Sequence, residues 1–180
     1  MLMIARRAFL QGLLLLTILF SNFETISIAT SGEIKLFRIQ RSKNKNEVHY
    51  VVNVNEDCTV MKDDAIRGFW NELEKGINFI SGFGPLDNMA YGIASTEIKT
   101  DNEVVFALKA VPTKLFTVKT EKGSSTCLAT TTTLVNNSEA SLFRIYVESE
   151  EGLILPKVLY IDLFGMDIKG NYITERFTPK

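Results

Sequence analysis

The sequence predicts a mainly β domain, an antiparallel barrel or sandwich with one amphipathic helix packed on it, behind an N-terminal signal helix. Three observations carry that prediction. Turn signals such as Asp101-Asn102, Glu121-Lys122-Gly123, Asn136-Asn137-Ser138 and Lys169-Gly170-Asn171 recur at roughly 8–12-residue spacing, as in antiparallel sandwiches and barrels. Between them apolar and polar residues alternate, the period of a half-buried strand. One stretch alone, Asp63 to Gly76, carries the helical period.

The N-terminal stretch, residues 1–29, is expected to be an export signal. Arg6 and Arg7 form a positive n-region, Ala8 to Phe20 is almost wholly apolar, and Ser27-Ile28-Ala29 supplies small residues for cleavage near Ala29. The apolar run falls short of the roughly 20 residues that span a bilayer, so membrane contact is expected only through an uncleaved signal segment. Arg6-Arg7-Ala8-Phe9-Leu10 resembles the twin-arginine export motif, and the ordinary secretory route stands beside it. The expected location is periplasmic or extracellular. Residues 30–180 are of a length for one domain with a real core.

Ile34–Arg41 is the first strand, and a polar turn at Ser42–Asn46 leads into Glu47–Asn55, where Val48, Tyr50, Val52 and Val54 share one face. The helix is expected over about 63–75. Ile66, Phe69, Trp70 and Leu73 fall at i, i+3, i+4 and i+7, and Asp63 or Asp64 caps the free amides. Lys75 and Gly76 close the helix. Gly68 costs about 1 kcal/mol in a helix interior. Burying the four apolar side chains stabilises by roughly 6–10 kcal/mol and outweighs that. Ile77–Ile80 is a short strand, and Gly82-Phe83-Gly84-Pro85 a loop. Strands then follow at Met89–Lys99, Glu103–Val111, Lys114–Thr120, Ser125–Val135, Ala140–Glu148, Val158–Phe164 and Tyr172–Phe177. A turn at Glu150-Glu151-Gly152 separates two of them, and Pro156 sits where a strand start tolerates a missing amide.

The run NEVHYVVNVN from Asn46, DAIRGFWNELEKG from Asp64 and MAYGIAS from Met89 resembles DUF4833, a family of exported bacterial domains of unknown function. The likeness covers about residues 34 to 178. It rests on the strand that opens at Asn46, on Phe69-Trp70 and on Ala90-Tyr91-Gly92-Ile93. It implies an exported domain and no catalytic assignment.

Composition narrows the chemistry. A formal net charge of −1 and the lack of a basic patch argue against a nucleic-acid partner. With one histidine, His49, and two isolated cysteines, neither a His-rich zinc site nor a Cys-x-x-Cys motif can be built, and no metal or cofactor is expected. No nucleophile elbow, phosphate loop or dinucleotide fingerprint appears. Cys58 and Cys127 are either a disulfide pair or two inert thiols; pairing closes a loop of about 70 residues and stabilises by about 4 kcal/mol on the chain-entropy model. A Cys–His dyad on His49 has no spacing to support it. Pairs such as Glu97 and Asp162 are what any chain with 21 carboxylates offers. The expected function is therefore non-enzymatic: binding of a small apolar or amphiphilic ligand, with Trp70, Tyr91, Phe106 and Tyr146 as lining. The alternative is a structural or protein-interaction domain that uses a sheet edge or face. An enzyme is the least favoured class.

Overall fold

A computed structural model describes residues 32–73, 79–150 and 157–178. The proposed export signal, the end of the expected helix at Lys75 and Gly76, the turn residues Glu151 and Gly152, and Pro156 lie outside the described residues.

The described chain is mainly strand, with one short helix. β1 (Gly32–Arg41) and β2 (Asn44–Val54) form a hairpin, to which β3 (Ile66–Asn71) and β4 (Ile80–Ser81) add in turn. Helix α1 (Pro85–Tyr91) leads into β5 (Ile93–Thr100), β6 (Glu103–Leu108), β7 (Val111–Lys122), β8 (Cys127–Val135) and β9 (Ser138–Glu150), which pair antiparallel in succession. β10 (Lys157–Asp167) and β11 (Tyr172–Phe177) complete the sheet.

β9 is the hub. Its first residues pair with β8, and Arg144 to Val147 pair with Arg38 to Arg41 of β1. Its other edge carries β10 over almost its whole length. A strand with three partners makes the sheet branch, so it does not close into a barrel. The β1–β9 pairing is parallel, so the sheet is mixed and not the purely antiparallel one expected. The β8–β9 connection is a two-residue hairpin in which Asn136 and Asn137 take φ of 50° and 61°. Asparagine tolerates that left-handed region, which the tightest hairpins require.

The two arms enclose one core. Phe37 of β1 stacks on Tyr50 of β2 at 4.8 Å between ring centres and on Phe116 of β7 at 5.6 Å. Phe116 in turn lies 5.3 Å from Phe106 of β6. All four rings are buried. Aromatic pairs of this kind contribute about 0.5–1.5 kcal/mol each beyond the area they bury. A disulfide joins Cys58, in the loop after β2, to Cys127 at the start of β8, with Cα atoms 5.3 Å apart. The Cys58 carbonyl accepts hydrogen bonds from the Thr120 hydroxyl (2.7 Å) and the Asn102 amide (3.1 Å), which hold this loop against β7.

The expected helix over 63–75 is corrected. Ile66–Asn71 is a strand, paired with β2 through Val52↔Ile66, Tyr50↔Gly68 and Val48↔Trp70. Ile66 and Trp70 face the core, while Phe69 lies beside His49 on the other face. A strand buried on both faces needs apolar residues at odd and even positions, and Ile66, Phe69 and Trp70 then mimic the helical spacing. Asp64 caps no helix; it takes φ of 61° in the loop before β3, where its carbonyl accepts from Asn53 Nδ2 at 2.5 Å. Gly68, a defect in a helix, has a reason in the strand. A Cβ there would sit 2.8 Å from Phe83 Cε2 and 2.9 Å from Tyr50 Cε1, so glycine makes room for two rings.

The helix that does form, α1, falls where a loop and the start of a strand were expected. Pro85 stands in its first turn, where its missing N–H and fixed φ suit a helix start. With seven residues and no buried side chain, it has no apolar stripe to announce it.

Candidate functional site

Alternation along β1 places Phe37 and Ile39 in the core, and Arg41 continues the same row. The guanidinium of Arg41 ends 4.7 Å from the centre of the Trp70 ring and 5.8 Å from that of Tyr91. Trp70 arrives from β3, opposite Val48. Tyr91 arrives as the last residue of α1. The two rings meet edge to face at 5.4 Å, and Phe83, from the segment before α1, packs on both at 6.4 and 6.1 Å. The result is an aromatic box with an arginine laid against it. Cation–π attraction of a partly desolvated guanidinium contributes about 0.5–2 kcal/mol.

Two hydrogen bonds fix the end of α1. The Tyr50 hydroxyl donates to the Tyr91 carbonyl at 2.7 Å, and the Lys109 amide donates to the Gly92 carbonyl at 2.9 Å. Burial drives the Tyr50 phenol well above its ordinary pKa, so it stays a donor throughout the physiological range. Burial also raises the Tyr91 phenol, against the opposing pull of Arg41.

Beside the box, and sharing Tyr91 with it, lies an apolar recess of about 40 Å³. Ile39, Leu108, Val111, Val147 and Leu163 are among its walls, and Tyr91 is its sole ionisable lining residue. It opens where β1 and β9, the β6–β7 turn and the end of α1 come together. Pockets for whole small molecules run to about 300–1,000 Å³, whereas a single water needs about 10–15 Å³. At that volume the recess has room for the end of an aliphatic chain and not for a complete small molecule. Tyr91 thus joins an apolar slot to the aromatic box and its arginine.

The four residues nominated as ligand lining divide. Trp70 and Tyr91 come together in the aromatic box. Phe106 is fully buried in the aromatic stack and reaches no surface. Tyr146 lies on the outer face, where its hydroxyl donates to Glu148 at 2.9 Å, and that hydrogen bond raises its pKa. Arg41 and Phe83 were not nominated. Phe83 lies in a stretch without periodicity. Arg41 had a signal, because a charged residue extends an apolar alternating row.

The ionisable groups weighed from the sequence, His49, Glu97 and Asp162, are paired elsewhere. His49 Nε2 lies 2.9 Å from Glu47 Oε2 on the outer face, where burial lowers the His49 pKa despite the carboxylate. Burial alone would raise the Glu47 pKa, but hydrogen bonds from Gln40 and His49 and the charge of Arg38 hold it below the usual value. Asp162 is held by two 2.7 Å bonds from Arg176, and Glu97 by Lys99 at 2.5 Å, so each has its own cation on its own arm. The Arg176 bonds keep the Asp162 carboxyl below the usual range. Both cysteine sulfurs are in the disulfide, which leaves no thiol for a dyad with His49. Among the described residues no three His, Cys, Asp or Glu side chains converge on a metal-sized centre.

No curated protein and no solved structure matches the chain. The model of a family described as a domain of unknown function, DUF4833, matches residues 37–176 of the 180. That span runs from the first core aromatic of β1 to the penultimate residue of β11, and it includes Trp70, Tyr91 and every wall of the recess but Phe177. The chain belongs to the DUF4833 family.

Proposed function

We propose that this domain is an exported, non-catalytic binding module that takes the apolar end of a small amphiphilic ligand. The observation that carries the reading is the apolar recess of about 40 Å³, which shares Tyr91 with the box formed by Arg41, Trp70 and Phe83. Dry apolar slots with a few polar groups at one side are the usual form of small-ligand sites. An acid–base enzyme needs at least two convergent ionisable side chains. The recess offers one, which supports binding over catalysis. The Cys58–Cys127 disulfide is at home in an oxidising compartment and supports export.

The test uses the one tryptophan, which packs against the recess residue Tyr91. Titration of the mature domain with 4-methylpentan-1-ol is expected to give a saturable change in Trp70 emission. Ala90→Phe, which puts a ring at the mouth, abolishes that change and leaves the melting temperature in place. A response that never saturates, or that survives Ala90→Phe, contradicts the reading.

A second reading, a protein-interaction domain working through a sheet edge, has its own observation. β5 ends the strand order, so its outer edge has no hydrogen-bonded strand among the described residues. Leu86 and Met89 stand exposed on the helix that leads into it. The occupant on this reading is a second copy of the chain. Sedimentation at increasing concentration tests it: a dimer that Met89→Lys abolishes supports this reading, and a monomer throughout removes it.

A further inference from the structure

We infer that Arg41 reads a carboxylate, so that the ligand of the recess is a short aliphatic acid. The inference rests on the binding reading above and names its head group.

Arg41 stands on an inward-facing row. It follows Phe37 and Ile39, and its Cα partner across the parallel pair is Val147, a wall of the recess. Its guanidinium lies over Trp70 and near Tyr91, another recess residue. Several cations of this protein have a carboxylate: Arg176 has Asp162, Arg67 has Glu33, Lys114 has Glu175, and Arg38 has Glu47. Arg41 forms no ion pair among the described residues, and its Nε is shut off from solvent without a hydrogen-bond acceptor there. Arg41 donates a hydrogen bond to the Tyr91 phenol, a neutral partner that leaves its charge without a counter-ion, and Asp87, which also acts on that phenol, makes no ion pair with Arg41. A buried donor without an acceptor is unfavourable, and a guanidinium without a counter-charge more so.

A ligand seated in the recess would supply what is missing. The guanidinium is a planar fork of N–H donors, and a carboxylate is its matching acceptor. The small recess volume sets the tail: the branched end of a chain of a few carbons enters, and a long acyl chain does not. The same chemistry occurs in a free short acid and at a polypeptide terminus that ends in an aliphatic residue.

Calorimetric titrations decide the matter. The wild-type domain is expected to bind 4-methylpentanoate at least tenfold more tightly than 4-methylpentan-1-ol at pH 7. In Arg41→Gln that ratio falls to within about twofold, and Arg41→Lys restores part of it, because lysine keeps the charge and loses the fork. Circular dichroism and the alcohol isotherm of each variant report that it is folded. If the wild type binds acid and alcohol equally, or if Arg41→Gln keeps the preference, the head-group inference is overturned while the recess reading stands. If neither probe binds the wild type, both fall. Acetyl-Gly-Leu separates the sources: weaker binding than the free acid assigns a free acid, tighter binding assigns a chain terminus, and both outcomes support an aliphatic carboxylate.

Discussion

Replacing Gly68 by alanine separates two accounts of residues 66–71 by the sign of one number. In a helix the change would stabilise by about 1 kcal/mol. In the strand, the new Cβ meets Phe83 Cε2 at 2.8 Å, Tyr50 Cε1 at 2.9 Å and Phe83 Cζ at 3.0 Å, where ordinary contact begins at 3.4 Å. Tyr50 has nowhere to go. It is fully buried, stacked on Phe37, and tied through its hydroxyl to the Tyr91 carbonyl. Phe83 must then move, and it leans on Trp70 and Tyr91. Overpacking of this kind costs about 1–3 kcal/mol. Alanine returns about 0.5–1 kcal/mol through its smaller loss of chain entropy. The expected result is a net loss of up to about 2.5 kcal/mol. At about 3 °C per kcal/mol for a domain of this size, the melting temperature drops by up to about 7 °C. Differential scanning calorimetry of the mature domain reads the shift. Phe83→Leu in the Gly68→Ala background should recover part of it, as expected for two residues in contact. A melting temperature that rises in Gly68→Ala would refute the strand packing.

Other expected outcomes follow from particular contacts. Converting both Cys58 and Cys127 to alanine should lower unfolding free energy by about 4 kcal/mol in urea titrations, since their bond closes a loop with a sequence separation of 69; an unchanged midpoint would show that the denatured chain is not restrained by this bond. Tyr50→Phe should cost about 1–2 kcal/mol, because the Tyr91 carbonyl loses its donor, and it should speed amide exchange in α1 before exchange in β2; equal rates in wild type and variant would contradict that role. His49, the one histidine, titrates below its ordinary value of about 6.5 because burial disfavours its charged form. The sign follows from linkage: the unfolded chain takes up the proton first, so stability is full above pH 6.5 and falls as pH drops from there through the folded-state value. His49→Gln should flatten that limb, and an NMR midpoint for His49 at or above 6.5 would contradict it.

Much of the sheet was legible in the chain because its signals are local. Tyr172–Phe177 lies between a glycine turn and the last residues and was bounded correctly, as was the Asn136-Asn137 hairpin, whose residue types tolerate positive φ. What failed had a physical cause. Ile66, Phe69 and Trp70 bury opposite faces of one strand, and two-sided burial erases the period of 2 that distinguishes strand from helix. Helix α1 is held by its Pro85 start and by the tie from Tyr50, not by an apolar stripe, so no periodicity reveals it. The branching of the sheet at β9 depends on a parallel pairing between segments about a hundred residues apart, which no local pattern encodes. The site divides in the same way. Trp70 and Tyr91 were nominated one by one as large aromatics, but their meeting depends on β3 and on α1, the two elements that were misread. Arg41 was within reach of sequence reasoning, as the charged third member of Phe37, Ile39 and Arg41. Phe106 takes a packing position, fully buried in the aromatic stack, and it is its neighbour Phe116 that borders the recess.

The recess is the claim on which the functional account turns. Intermolecular NOEs between the terminal methyls of 4-methylpentanoate and the protein test it most directly. The account predicts NOEs to the methyls of Ile39, Val147 and Leu163, together with contacts to the Tyr91 ring. NOEs confined to the outer face around Tyr146 and Tyr160, or none at saturating acid, would contradict it.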